Sequence, residues 1–264
     1  MNYTKPKKSL GQNFLIDKNV INLIIDAGNI EKNDVVFEVG SGTGNLTEKI
    51  LSKEPKKIFT VEKDKILAKK LVEKFKDKII MINKDILHIN EENLSDRPMV
   101  VFGNLPYNIS TKILTKWILS SNKKYWYKNL ILMFQKEVAD RIVAKVNSSN
   151  YGRLSIISNW KLNIKKVMDI SSSCFFPKPK VESTLLKFTP KLKNFSFKNP
   201  KNLEMITRIF FSQRRKKIKH SMKQLFKNFN EVSNKLKINS NLRPQNLSPS
   251  DYFLITKEYE NLSS

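Results

Sequence analysis

The chain has 264 residues, 40% of them hydrophobic, with 49 Lys+Arg against 24 Asp+Glu and a formal net charge of +25. That is apolar material for one large domain, or for a medium one with a small companion, and the charge favours a polyanionic partner, nucleic acid ahead of an anionic membrane. One cysteine, Cys174, excludes an internal disulfide, two histidines are too few for a zinc site of the usual kind, and no run approaches a membrane span, so a cytoplasmic protein without a metal is expected.

Residues 17–29 place Ile21, Ile24 and Ile25 on one face of a helix. Residues 35–39, 57–61, 78–82, 99–103 and 129–134 are short, apolar and partly β-branched, as buried strands are. Between the last two, residues 110–121 put Ile113, Leu114, Trp117 and Ile118 on one helical face, with Ser110 as the expected N-cap. Alternation of this kind predicts an α/β domain with a mostly parallel sheet. Residues 181–189 read as a late, antiparallel strand.

After Pro190 the strands stop. Residues 194–202, with Pro200, read as a linker. Leu203, Ile206, Ile209 and Phe210 then recur at helical spacing, as do Ile218, Met222, Leu225, Phe226 and Phe229. The last helix has Ser248 as cap, Pro249 in its first turn and Asp251 completing a capping box, with Tyr252, Ile255, Tyr259 and Leu262 on one face. The expected division is an α/β domain over 1–192 and a small all-helical domain over 193–264. Residues 191–264 hold 16 basic and 5 acidic residues, so the second domain is the denser in positive charge.

The chemistry is written at the ends of the first four strands. Glu38-Val39-Gly40-Ser41-Gly42-Thr43-Gly44 follows the first, where glycines allow a tight turn and close approach of a ligand. Glu62 ends the second, 18 residues after Gly44, where an acid can accept from a ribose diol. Asp85 ends the third, in reach of an adenine amine. Asn104-Leu105-Pro106-Tyr107 ends the fourth, the motif of methyltransferases that act on the amino group of adenine. In it the Asn104 carbonyl oxygen accepts from an exocyclic amine, Pro106 turns a backbone carbonyl the same way, and Tyr107 offers a stacking face. A glycine loop alone also suits a dinucleotide; the four strand ends together favour S-adenosylmethionine. Five basic residues in Gln213–Lys219 suggest a phosphate-binding helix face.

On these residues the chain resembles the small-subunit ribosomal RNA adenine dimethyltransferases, the KsgA family. The likeness is carried by Lys8 to Leu15, Glu38 to Gly44, Asn104 to Thr111, Gln135 to Ala139, Tyr151 to Ser155, Phe176 to Ser183, Gln213 to Lys217, Arg243-Pro244 and Asn246 to Ser248. Ser41, His220 and Met222 depart from the residues common there. The resemblance implies a Rossmann-like class I methyltransferase domain with a helical RNA-recognition domain. It implies S-adenosylmethionine held by Asn13, Leu15, Gly40, Gly42, Glu62, Asp85 and Asn104, with Asn104, Pro106 and Tyr107 at the reacting amine. Phe175 or Phe176 would hold the target base opposite Tyr107, and Arg214, Arg215, Lys216 and Lys217 would meet RNA. The implied partner is small-subunit rRNA within a pre-assembled subunit, the implied protein a monomer, and the implied product N6,N6-dimethyladenosine at two adjacent positions near the 3′ end.

Overall fold

A computed structural model describes residues 6–120 and 125–263, except the side chain of Lys8. The chain divides into two compact units. The first comprises the chain up to Trp117, the stretch that ends at Ala139, and Ile164–Pro190; the second comprises Ile118–Ser120, Asp140–Asn163 and the chain from Lys191 on. The sequence placed one boundary after residue 192. The structure differs in that 118–120 and 140–163 pack with the C-terminal helices.

In the first unit β1 (Phe14–Leu15) leads to α1 (Lys18–Gly28), which Asp17 caps by accepting from the amides of Asn19 and Val20. Then come β2 (Val35–Val39), α2 (Asn45–Leu51), β3 (Lys57–Val61), α3 (Lys65–Phe75), β4 (Ile80–Ile82), β5 (Met99–Asn104), α4 (Ser110–Ser120), β6 (Tyr127–Gln135) and α5 (Lys136–Ile142). The seven-stranded sheet runs β4-β3-β2-β5-β6-β9-β7, with β7 at Leu162–Ile170 and β9 at Ser183–Pro190. β2 to β6 are parallel neighbours, and β9 returns antiparallel beside β6, as the sequence anticipated. Val36, Phe37, Val100, Val101, Phe102, Leu130 and Leu132 are wholly buried, because both faces of a parallel sheet are covered. All four parallel strands that carry the expected site therefore end on one side of the sheet.

Three expectations change. Ser110 is the first helical residue of α4, and its hydroxyl donates to the Tyr107 carbonyl (3.2 Å) instead of accepting as a cap. The helix reading 110–121 extends one residue outside the described chain. Three strands, β7, β1 and the short β8 (Phe175–Phe176), went unread; β8 pairs antiparallel with β1, Phe14 opposite Phe176 and Leu15 opposite Phe175.

In the second unit α6 (Arg153–Lys161) packs with α7 (Lys201–Ser212) and α10 (Pro249–Leu262). The Tyr151 hydroxyl donates to Leu247 O (2.9 Å) and the Tyr252 hydroxyl to Pro244 O (2.7 Å), so both phenols are satisfied in the core. Residues 194–202 are not a free linker: Phe197 packs on Trp160, Phe195 on Phe253, and the amides of Lys198 and Asn199 donate to the Glu260 carboxylate. The apolar run Ile218 to Phe229 forms two short helices, α8 (Lys219–Leu225) and α9 (Phe229–Lys235). The capping box Ser248–Asp251 forms as read, while Leu262 is exposed.

Candidate active site

The ends of β2 to β5 and residues 9–14 enclose a cleft of about 140 Å³. Asn13, Gly40, Gly42, Glu62, Asp85, Asn104, Pro106 and Tyr107 all line it. A larger groove, about 710 Å³, lies along residues of α1, α2 and α3, but none of the strand-end acids nor Asn104 lines it.

Gly40 has φ +76°, and a Cβ there would come 2.9 Å from the backbone oxygen of Asn104. On its other side its amide donates to Val61 O (2.9 Å). Only glycine lets this loop lie against the end of β5. Glu62 is 8% exposed. Its Oε2 accepts from the Gly42 amide (3.0 Å) and its Oε1 from the Asp64 amide (2.9 Å), so two backbone N–H groups aim the carboxylate. Burial raises its pKa against those hydrogen bonds. Each oxygen keeps a lone pair for a further donor.

Asp85 accepts from the Leu87 amide (3.0 Å) and from Lys63 Nζ (2.9 Å). The Leu87 bond comes first among the causes that hold it below the usual carboxylate range, Lys63 adding to it against burial. Asp64, two residues after Glu62, anchors the segment over the cleft: its carboxylate receives Lys7 Nζ (3.0 Å) and Gln12 Nε2 (3.1 Å).

Asn104 Nδ2 donates to the carbonyl of Asn13 (2.9 Å). That bond sets the amide so that Oδ1 is the acceptor left over. The hydroxyls of Tyr107 and Ser183 are 2.6 Å apart, which holds the phenol ring at its outer end, and burial raises the Tyr107 pKa. The carbonyl of Pro106 accepts from the Ile109 amide (3.0 Å) in the turn that opens α4. The carbonyl that the sequence reading aims at the substrate amine thus has one lone pair engaged in the turn and one left to accept.

The remaining expected residues separate. Leu15 is buried in the core beside the cleft, with its carbonyl accepting from Asn45 Nδ2 (2.8 Å). Phe175, 3% exposed, belongs to the same core; Phe176 is 41% exposed, and neither lines the cleft. In the second unit, Gln213–Ile218 is a turn between α7 and α8, not a helix face. Arg214 is committed there as a brace, donating to Ser148 O (3.3 Å), Ser149 O (2.5 Å) and Gln245 Oε1 (3.2 Å). Arg215, Lys216 and Lys217 are exposed. The brace joins their turn to the loops carrying Lys145 and Arg243, both exposed, and none of these three loops (143–150, 213–218, 239–247) contains an acid.

Sequence reasoning did not find Ser183 as the anchor of Tyr107, although it ends the Phe176–Ser183 match, nor the Asn13 carbonyl that orients Asn104.

Comparison with known proteins gives the same assignment. The family model described as ribosomal RNA adenine dimethylase matches residues 3–261. This chain belongs to that family. Among curated relatives, the ribosomal RNA small subunit methyltransferase A of Pelagibacter ubique is 57% identical over 98% of this chain and 99% of its own length. The Wolbachia protein of the same name (strain wRi) is 41% identical over 97% and 94%. A dimethyladenosine transferase from Plasmodium falciparum superposes with a TM-score of 0.75 at 27% identity, covering 95% of this chain and 98% of that one. The 23S rRNA methyltransferase ErmE shares the fold, with a TM-score of 0.69 at 21% identity over 94% and 99%.

Proposed function

We propose that this dimethylase-family chain moves methyl groups from S-adenosylmethionine to N6 of two adjacent adenosines near the 3′ end of small-subunit rRNA, within an assembling subunit. The observation that carries the reading is the fixed amide of Asn104 in the same cleft as Glu62 and Asp85. The cofactor fits the residues present. Glu62 accepts from the ribose diol, Asp85 from the adenine amine, and Gly40, without a side chain, lets the loop close against Asn104 where both line the cleft. Bound there, S-adenosylmethionine supplies an electrophilic methyl group.

The chain's own contribution is positioning and polarisation. The N6 lone pair is delocalised into the adenine ring, so the amine is a poor nucleophile. Asn104 Oδ1, accepting one N6–H, favours a pyramidal nitrogen and localises that lone pair. No strong base is required, because N6 becomes acidic only as the methyl arrives. The base leaves its stack to enter the cleft, and the anchored face of Tyr107 offsets part of that cost. The target base meets Phe176, which is 41% exposed, while Phe175 serves the core. Arg215, Lys216 and Lys217, with Lys145 and Arg243 on the joined loops, meet phosphates, and Arg214 holds those loops together.

Asn104→Ala tests the reading. It should fold, keep RNA affinity within about twofold and lose methyl transfer by a factor on the order of 100 or more. Turnover within a few-fold of wild type would show that positioning alone suffices.

A further inference from the structure

The catalytic motif and the adenine wall of the cleft are tied by one side chain outside both. Lys116 lies on α4, the helix that starts three residues after Tyr107. Its Nζ donates to Ile86 O (3.2 Å), Ile89 O (2.5 Å) and both carboxylate oxygens of Glu91 (2.7 and 3.0 Å). Glu91 also accepts from Trp117 Nε1 (2.8 Å), and its side chain is 4% exposed against 27% for Lys116. The ammonium and both carboxylate oxygens thus all have partners, as a largely buried carboxylate requires.

The target of this cluster is the segment Asp85–Asn93, which leaves β4 as two single 3₁₀ turns. Its own backbone closes only single turns, with the amides of His88, Ile89 and Asn93 donating to Asp85 O, Ile86 O and Asn90 O (3.0, 3.2 and 3.3 Å), bonds of poorer geometry than those of an α-helix. Its first two residues, Asp85 and Ile86, line the cleft. The Lys116 ammonium fastens it at the carbonyl of Ile86, one residue from Asp85, and again at Ile89 and Glu91.

We propose that Lys116, paired with Glu91, is a positioning residue that sets the adenine wall of the cofactor cleft, and through it the enzyme's discrimination for the adenine amine. It rests on the reading of Asp85 as the acceptor of that amine. Lys116 touches neither cofactor nor substrate; it acts by holding Ile86 and Asp85 at a fixed height against the helix that follows Asn104-Leu105-Pro106-Tyr107.

The test compares two probes by calorimetry: S-adenosylhomocysteine and its deaminated, inosine-containing counterpart. A site built to accept from an amine rejects the analogue without it. Wild type should favour the adenosyl compound at least about tenfold. Lys116→Met/Glu91→Gln removes both charges together, so neither is stranded. It should lose at least about threefold of that discrimination while keeping a cooperative melt. Should the double variant fail to fold, Lys116→Gln is read in the same way. Asp85→Ala is the reference: it should abolish the preference. If Asp85→Ala loses discrimination and both Lys116 variants keep the wild-type ratio, the role of Lys116 is refuted. If Asp85→Ala itself keeps the ratio, the adenine assignment fails and this inference falls with it.

Discussion

Gly40→Ala perturbs the cofactor loop and the catalytic strand in one step. At φ +76° an L side chain costs about 1–2 kcal/mol. The new methyl would also sit 2.9 Å from Asn104 O, and the obstacle is backbone, so no side chain can swing away. Retreat towards β3 is blocked by the bond from the Gly40 amide to Val61 O. Forcing the contact open adds about 1–3 kcal/mol. The expected loss is therefore about 2–5 kcal/mol, within what a domain of this size tolerates. Turnover of the folded enzyme should fall as well. Asn104 must move by some tenths of an ångström; about 1 Å of misplacement costs on the order of 100-fold in rate, so a shift on that scale costs about 3–10-fold. The assay is turnover at saturating cofactor, with S-adenosylhomocysteine affinity and thermal melts in parallel. Ser41→Ala is the neighbouring control. Its hydroxyl is buried without a partner among the described residues, so removing it should stabilise by about 1 kcal/mol and leave turnover unchanged. A folded Gly40→Ala enzyme with wild-type affinity and turnover would refute the argument that this loop and Asn104 are packed as one unit.

Replacing Arg215, Lys216 and Lys217 with Gln should flatten the slope of log K for subunit binding against log salt by about two units or more, without changing the melt. Arg214→Gln should instead lower stability by about 1–3 kcal/mol, because its three acceptors lose their donor; equal slopes in the triple variant and wild type would remove the turn from the RNA interface. Burial, opposed by the Thr47 hydroxyl and reinforced by Glu62, pushes the Glu38 carboxyl up to about 7. The native carboxyl then keeps its proton in a window, from about 4.5 to about 7, where the unfolded one has lost it, so its contribution to stability is lost as pH rises through that window. The loss is on the order of 3 kcal/mol, and Glu38→Gln should abolish it; urea midpoints at pH 5 and pH 8 with the same difference in both proteins would contradict this.

Much of this was legible because parallel strands buried on both faces are continuous apolar runs, and each of β2 to β5 ends in a residue with chemistry. What was hidden has physical causes. β7 carries Lys165 and Lys166 on an edge strand whose exposed residues break any apolar run. The β1–β8 ribbon is two residues long, and its register joins Phe14 to Phe176 across most of the α/β unit's sequence. The basic run after Ser212 has the composition of a helix face. Its turn is fixed by long-range bonds from Arg214 to Ser148, Ser149 and Gln245, which no local pattern announces. The same holds for Pro106: a motif gives the residue, but only the fold shows its carbonyl bonded to the Ile109 amide. Asn13 and Ser183 act through one carbonyl and one hydroxyl, 91 and 76 residues from the side chains they fix.

The most direct measurement offers S-adenosylmethionine with a labelled methyl to unmethylated small subunits, to large subunits and to DNA separately. The account predicts label only in the small subunit, recovered as N6,N6-dimethyladenosine at two adjacent positions, and none with Asn104→Ala. Label in the large subunit or in DNA, or small-subunit label at another atom, would contradict it.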